Sequence, residues 1–299
     1  DSKQDNRLDY STGVKYSGIQ EAKFQRGYNP NAMFVTTTIN YANDFLKNKY
    51  YRNYQLSNES IQFLDRASKH LLEKLYFRIA GIGHIIIPEF LSISEVNYGD
   101  ALNTIYKKND LLFSLKDFDA FTTSLEDESD GFPYWLNYVA IDSDGNYFKA
   151  SNFIKDVSKP YLFKIIEIIN QINTSFKIQL GERVFNFYTL FGYLPVRDNV
   201  KRNIALDLFS DIFQRRSVNK GNLFKLFCQY VKCQKSGQFN PKGYHNSYPN
   251  IRENPSFDFA IKNAVIMYSA FIKLLDELQL IKTNNIMENK VISNHFNEI

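Results

Sequence analysis

Two cysteines and one histidine in the last third of the chain are the first candidates for chemistry. Cys228 and Cys233 are spaced C-x4-C, and His245 follows twelve residues later. A structural zinc ion needs four tetrahedral ligands, and no fourth Cys or His lies nearby in the sequence. On a helix, positions five residues apart point about 140° away from each other. We therefore predict that both cysteines are buried small apolar residues, not zinc ligands or a disulfide.

The segment around these cysteines is strongly basic. Residues 197–242 contain ten Lys or Arg and three Asp, a net charge of +7, whereas the whole chain carries only +4. Lys and Arg neutralise phosphates, and neighbouring Phe and Tyr can stack on unpaired bases. The predicted polyanion-binding residues are Arg197, Lys201, Arg202, Arg215, Arg216, Lys220, Lys225 and Lys232.

The same segment also has the apolar spacing of packed helices. Its large apolar residues recur at positions that suit one buried face, namely Phe209, Phe213, Leu223, Phe224, Phe227 and Tyr230. On this interpretation the lysines only solvate the opposite face. An acidic protein partner is a third interpretation, because it would use the same charges.

Acidic residues in the middle of the chain are candidates for a cation site. Glu126, Asp127, Glu128 and Asp130 precede Asp142 and Asp144. The stretch DSDGN lacks the order of a calcium-binding EF-hand loop, and Asp and Gly favour tight turns without any metal. Asp142 and Asp144 are retained as weak metal candidates, and we predict no cofactor.

The stretch AGIGHIIIPEF carries two glycines and a histidine but no known catalytic or phosphate-binding spacing. Gly81 and Gly83 do not form G-x-G-x-x-G, and no Lys-Ser/Thr pair follows. We predict that His84 is a packed or capping residue. The sequence also lacks G-x-S-x-G, H-E-x-x-H and Walker motifs, so we predict no catalytic residue. An enzyme using metal-assisted chemistry remains an alternative.

The elements that must position these residues are predicted to be mainly α-helical. The expected fold is an irregular helical bundle with one or two small β-hairpin insertions. Helices are predicted over residues 29–48, 58–80, 98–108, 159–172, 199–215, 220–232 and 257–281. The stretch IGHIIIPEFL is a short strand or a kinked helix, because Pro88 interrupts it. Hairpins are predicted around DSDGN and around Gly181, between SFKIQL and VFNFYTLF.

Domain organisation is predicted as one mainly helical domain, residues 29–282, with a weak boundary near 110–155. An extended polar arm, 1–28, precedes it, and a polar tail, 283–299, follows. No run of apolar residues is long enough for a transmembrane helix.

Association is the function that the composition favours. The chain has 26 Phe, 20 Tyr and one Trp, polar ends and a long loop rich in Asn, Pro and Gly. We predict a non-enzymatic interaction or structural protein, a component of a larger macromolecular assembly such as a viral or phage particle. Its partners would be other proteins or copies of itself. The alternative is a nucleic-acid-binding protein that uses residues 197–242.

Overall fold

The described part of the chain forms two compact units. A computed structural model describes residues 7–16, 20–21, 55–91, 97–116, 133–143, 148–196 and 203–282. The first unit comprises the described residues of Asp1–Phe77, Ile82–Ile87 and Asn137–Phe153. The second comprises those of Arg78–Gly81, Pro88–Leu136 and Ile154–Ile299.

The described residues contain both helices and strands. The helices are α1 (Asn58–Lys74), α2 (Tyr98–Phe113), α3 (Lys159–Ser175), α4 (Lys177–Leu180), α5 (Phe187–Phe191), α6 (Ile204–Phe213), α7 (Lys220–Ser236) and α8 (Phe257–Glu277). The strands are β1 (Arg7–Leu8), β2 (Lys15–Tyr16), β3 (Gln20–Glu21), β4 (Gln55–Leu56), β5 (Tyr76–Ile79), β6 (Ile82–Phe90), β7 (Tyr134–Ser143), β8 (Phe148–Ser158), β9 (Val218–Asn219), β10 (Tyr244–His245), β11 (Tyr248–Arg252) and β12 (Ile281–Lys282).

The fold is mixed α/β, so the prediction of a mainly helical bundle with small hairpin insertions is wrong. Strands β5, β6, β7 and β8 form one antiparallel sheet in that order. The hairpin predicted around DSDGN is present as β7 and β8, but its strands are the long members of this sheet. The other paired strands of the described residues are short: β1–β2, β3–β4 and β10–β11 are antiparallel, and β9–β12 is parallel.

The sheet was underestimated because the helix predicted over 58–80 ends earlier. Helix α1 stops at Lys74, and residues 76–79 alternate between exposed and buried, as a strand requires. Gly81 does not end a helix. Its φ of +80° instead forms the turn between β5 and β6, a conformation that favours glycine. Pro88 lies within β6, where a missing N–H removes only one hydrogen bond of the ladder.

The prediction of a second hairpin, around Gly181, is wrong. Its flanking stretches form the short helices α4 and α5. The alternation in SFKIQL does not reflect burial, because Ile178 is 93% exposed and Leu180 alone of α4 is buried. The predicted helices that correspond to α2, α3, α6, α7 and α8 are present, with Pro160 in the first turn of α3. The helix predicted over 29–48 lies outside the described residues.

Helices α3, α6, α7 and α8 supply much of the core of the second unit. The buried faces of α3 and α8 are almost entirely Ile, Leu, Ala, Met and aromatic side chains. Among the described residues, no helix is both long and apolar enough to span a membrane. The predictions for the polar arm, the single domain and the tail are left untested and stay predictions.

Candidate nucleic-acid interface

A cleft of about 910 Å³ in the second unit combines positive charge with aromatic rings, of which Tyr188 is exposed to solvent. Its charged lining residues are Arg78, Lys116, Arg183, Arg252 and Glu253. Its aromatic lining residues are Phe113, Phe187, Tyr188, Phe191, Tyr193, Tyr230 and Tyr244. Four cations thus face one carboxylate, and all four cationic side chains are exposed to solvent. This combination suits a ligand that is both anionic and flat.

The β5–β6 turn forms one wall of the cleft, and its position is fixed on both sides. The Asn203 side chain donates a hydrogen bond to the Ala80 carbonyl at 2.8 Å. Gly81 lies so close to Phe191 that an added Cβ would stand 3.3 Å from the Cζ atom of that ring. A larger residue at position 81 would therefore push on the aromatic lining of the cleft.

Helix α5 carries Tyr188 and Phe191 into the cleft and is held by its own cap. The Asn186 side chain accepts from Thr189 N–H at 3.0 Å, while the Thr189 hydroxyl accepts from Asn186 N–H at 3.1 Å. The Asn186 amide also donates to two carbonyls at the end of α2, Leu111 and Leu115, both at 2.8 Å. These bonds bury the polar Asn186 without an unsatisfied group and join α5 to α2.

The β10–β11 hairpin forms the facing wall. The Asn250 amide donates to the carbonyls of Phe191 at 2.7 Å and of Leu194 at 2.6 Å, which ties the hairpin to the end of α5. On the same hairpin, the Arg252 guanidinium lies 4.9 Å from the centre of the Tyr244 ring and donates to its hydroxyl. The cleft is thus built from packed elements, not from free loops.

Three of the four cations contact a tyrosine of the same cleft. The Lys116 ammonium lies 5.2 Å from the centre of the Tyr188 ring. The Arg183 guanidinium donates to the Tyr193 hydroxyl at 3.3 Å and to the side-chain Oδ1 of Asn263 at 3.0 Å. Arg252 and Tyr244 form the third pair. We refer to these three as the cation–tyrosine pairs.

Two tyrosines of the cleft, Tyr193 and Tyr230, are held in their neutral form by burial. Burial raises the pKa of Tyr193, although the nearby Arg183 partly opposes this. Burial also raises the pKa of Tyr230, whose ring centre lies 5.4 Å from that of Tyr193. Neither ring therefore contributes negative charge that would repel an anion.

Ser236 and His245 lie within hydrogen-bond distance behind this hairpin, but they are not arranged for nucleophilic catalysis. The Ser247 N–H donates to Nδ1 of His245 at 3.2 Å, so the proton of the neutral ring is on Nε2. Nε2 lies 3.1 Å from the Ser236 hydroxyl oxygen and donates to it. That hydroxyl in turn donates to the Cys233 carbonyl at 2.9 Å. A general base would need a free lone pair facing the serine, and this ring presents a proton.

The two predicted cysteine positions show no metal-binding arrangement. Cys233 is buried, which raises its thiol pKa to about 11, and Cys228 is half-buried. Among the described residues, no group of three or more His, Cys, Asp or Glu side chains is placed to hold an ion. Asp142 lies in β7 and Asp144 falls outside the described residues, so this metal hypothesis stays a prediction.

The predicted polyanion-binding residues lie elsewhere in the second unit. Arg215 packs over the Tyr161 ring at 4.3 Å, and Arg216 forms an ion pair with Asp211 at 3.5 Å. Lys220, Lys225 and Lys232 are exposed on α7. Arg197, Lys201 and Arg202 fall outside the described residues. The described members do not line the cleft, and their role stays a prediction.

Sequence reasoning missed the cleft because its cations are scattered. They come from four separate stretches, around residues 78–81, 113–116, 183–193 and 244–254. A charge count along the chain detects only contiguous charges. A usable local signal was present in YHNSYPNIREN, where two tyrosines and a histidine stand within a few residues of Arg252.

Residues 21–157 match the family profile of the central domain of CRISPR-associated protein TM1802 (cas_TM1802). This stretch is slightly less than half of the chain. It contains the β5–β6 turn and the end of α2, and therefore part of the cleft lining. A search of curated proteins gave no match.

The similarity to a CRISPR-associated family contradicts the prediction of a viral or phage particle component, and that prediction is wrong. The broader expectation of a protein that works in association is compatible with the family match.

Proposed function

We propose that this protein is a non-enzymatic, nucleic-acid-binding subunit of a CRISPR-associated assembly, and that the cleft of the second unit is its nucleic-acid site. The observation that carries the proposal is that Arg78, Lys116, Arg183 and Arg252 line one cavity together with tyrosines, of which Tyr188 is exposed and Tyr193 and Tyr244 are half-buried. The family match supports the assembly, because residues 21–157 resemble a CRISPR-associated domain.

The charges of the cleft favour nucleic acid on physical grounds. Each Lys or Arg that neutralises a phosphate releases condensed counterions, which favours binding at moderate salt. Arginine adds directional hydrogen bonds to phosphate oxygens. Because the four cations are exposed, their charges are available to a ligand.

The basic residues of α6 and α7 are a second candidate surface for the same function. Arg215 packs over the Tyr161 ring much as Arg252 of the cleft packs over Tyr244, whereas Arg216 is paired with the Asp211 carboxylate, with which a phosphate would have to compete. Lys220, Lys225 and Lys232 are exposed on α7 and add positive charge to this surface. The test therefore includes variants of both surfaces.

Replacing Arg183 and Arg252 together by glutamine is expected to weaken binding of a single-stranded oligonucleotide by about 10- to 100-fold at moderate salt. Two lost phosphate contacts should also reduce the slope of log affinity against log salt by about 1.4. Fluorescence anisotropy with a labelled, unstructured strand over a salt series measures both quantities.

The matched control is Lys225→Gln with Lys232→Gln, which removes the same charge from the outer face of α7. If the control lowers affinity as much as the cleft variant does, the cleft is not the site. If Arg215→Glu with Arg216→Glu abolishes binding while the cleft variant binds normally, the site is the basic segment.

Replacing Glu253 by glutamine is expected to strengthen binding by about 2- to 5-fold, because it removes the acid of the cleft lining that repels phosphate. The gain should shrink as salt rises, since salt screens exposed charges. Exposed Glu277 near the end of α8, replaced in the same way, is the control. An unchanged affinity for Glu253→Gln at low salt would contradict the assignment of the cleft.

A further inference from the structure

We propose that the cleft takes a single strand with unpaired bases, and that each cation–tyrosine pair receives one nucleotide. This inference rests on the proposed function and goes further, because it specifies the state of the strand and the residues that stack on it.

Each cation–tyrosine pair matches the two chemical parts of a nucleotide. A phosphate requires a cation, and a base requires a flat surface on which to stack. Lys116 with Tyr188, Arg183 with Tyr193 and Arg252 with Tyr244 each supply both within a few ångströms. In the Arg252–Tyr244 pair the guanidinium lies over the ring and can itself stack between the base and the protein.

A duplex could use only half of this chemistry. Its bases are already stacked on each other, so only its phosphates and groove edges face a protein. Tyr188 is 42% exposed, and its ring would gain nothing from phosphates alone. A cleft of about 910 Å³ also has the size of a small-ligand site, which fits a few nucleotides of a flexible strand.

The cavity continues beyond the third pair, which favours a polymer over a mononucleotide. A second cavity of about 460 Å³ is lined by Lys242, Gly243, Tyr244, Arg252, Glu253 and Pro255. It shares Tyr244, Arg252 and Glu253 with the cleft, so the Arg252–Tyr244 pair stands between the two cavities. Lys242 supplies a further cation for a strand that passes this pair.

The test separates stacking from charge by removing the bases from the ligand. The probes are labelled strands of about 12 nucleotides as RNA and as DNA, the matching duplexes, and a DNA strand whose sites are abasic. The abasic strand keeps every phosphate and lacks every base. Both single strands are expected to bind at least 10-fold more tightly than their duplexes and than the abasic strand.

Tyr188→Ala is expected to weaken binding of base-bearing strands by about 5- to 150-fold and to leave the abasic strand unaffected. Tyr188→Phe should retain the wild-type affinity, because the ring is kept. Phe224→Ala is the matched control, since Phe224 is 67% exposed and lies outside the cleft. Unchanged thermal unfolding of each variant shows that folding is not the cause.

The possible failures can be told apart. If Tyr188→Ala binds like wild type and duplex or abasic strands bind equally well, the single-strand inference is overturned. Should the Arg183→Gln, Arg252→Gln variant still lose binding in that case, the proposed function stands. If that variant also binds every probe like wild type, both fail. A preference for RNA or for DNA among single strands supports the inference and identifies the source of the strand.

Discussion

Phe187→Ala is expected to destabilise the second unit by about 3–5 kcal/mol, the largest effect of any substitution considered for the cleft. Phe187 is 1% exposed and belongs to the buried part of the aromatic lining. Its ring centre is 4.8 Å from that of Phe209, 5.4 Å from that of Phe213 and 5.8 Å from that of Phe113. The cavity left by alanine would remove contacts with α2 and α6 at once.

Calorimetric unfolding measures this loss, and hydrogen exchange locates it. Faster exchange is expected in α2, α5 and α6, with little change in α1. Tyr188→Ala at the neighbouring exposed position is the control, and we expect it to cost less than about 1 kcal/mol. A Phe187→Ala protein that unfolds at the wild-type temperature would show that this ring cluster does not support the cleft.

Asp9→Asn is expected to destabilise the first unit by about 2–3 kcal/mol. The carboxylate of Asp9 is fully buried and accepts hydrogen bonds from the N–H groups of Ser11 and Ser57. It also accepts from the hydroxyls of Ser11 at 2.6 Å and Ser60 at 2.7 Å. Ser57 caps α1, so Asp9 joins the β1–β2 turn to the start of that helix. The NH₂ group of an asparagine would face some of these N–H and O–H donors and could not accept hydrogen bonds from them.

The pH dependence of stability in the wild type and in Asp9→Asn separates the contribution of Asp9 from that of His84. Burial opposes ionisation of Asp9, but its hydrogen bonds outweigh burial and lower its pKa below the ordinary value. The stability it supplies is therefore complete above about pH 4 and is lost as pH falls below that value. Burial lowers the pKa of His84 to about 4, so its contribution is complete above about pH 6.5 and falls between pH 6.5 and 4.

Thermal unfolding measured from pH 7 to pH 2 checks both signs. Wild type and Asp9→Asn should lose stability in parallel between about pH 6.5 and 4, because both retain His84. Below about pH 4 the wild type should lose further stability, and the variant should not. Ser11→Ala removes one hydrogen-bond donor to Asp9. It should also reduce the loss of stability below about pH 4, but by less than Asp9→Asn does. A steep loss in Asp9→Asn below pH 4 would contradict this account of Asp9.

The basic segment shows how sequence reasoning can describe a surface without finding the site. The prediction that residues 197–242 hold more than the net charge of the protein is arithmetic and is correct. The structure shows that Arg215 and Arg216 contact Tyr161 and Asp211, which no count of charges could reveal. The proposed site uses Arg78, Lys116, Arg183 and Arg252 instead, and these residues are far apart in the sequence.

Local patterns did predict those elements whose formation depends on neighbours in the chain. Helices α3, α7 and α8 follow from apolar periodicity, and Pro160 lies in the first turn of α3. Both cysteines are predicted to be buried on a helix; Cys233 is buried on α7, whereas Cys228 is only half-buried. These properties involve residues within a few turns of each other, so the local sequence contains the necessary information.

Contacts between residues far apart in the sequence decided the extent of the sheet and the assembly of the cleft. Residues 76–79 have the composition of a helix end and of a strand, and pairing in the β5–β8 sheet selected the strand. Likewise, Arg78, Lys116, Arg183 and Arg252 form one site only because the β5–β6 turn, α5 and the β10–β11 hairpin pack together. Hydrogen bonds from Asn186, Asn203 and Asn250 to distant carbonyls hold that arrangement, and partners so far apart in the chain leave no periodic signal in the sequence.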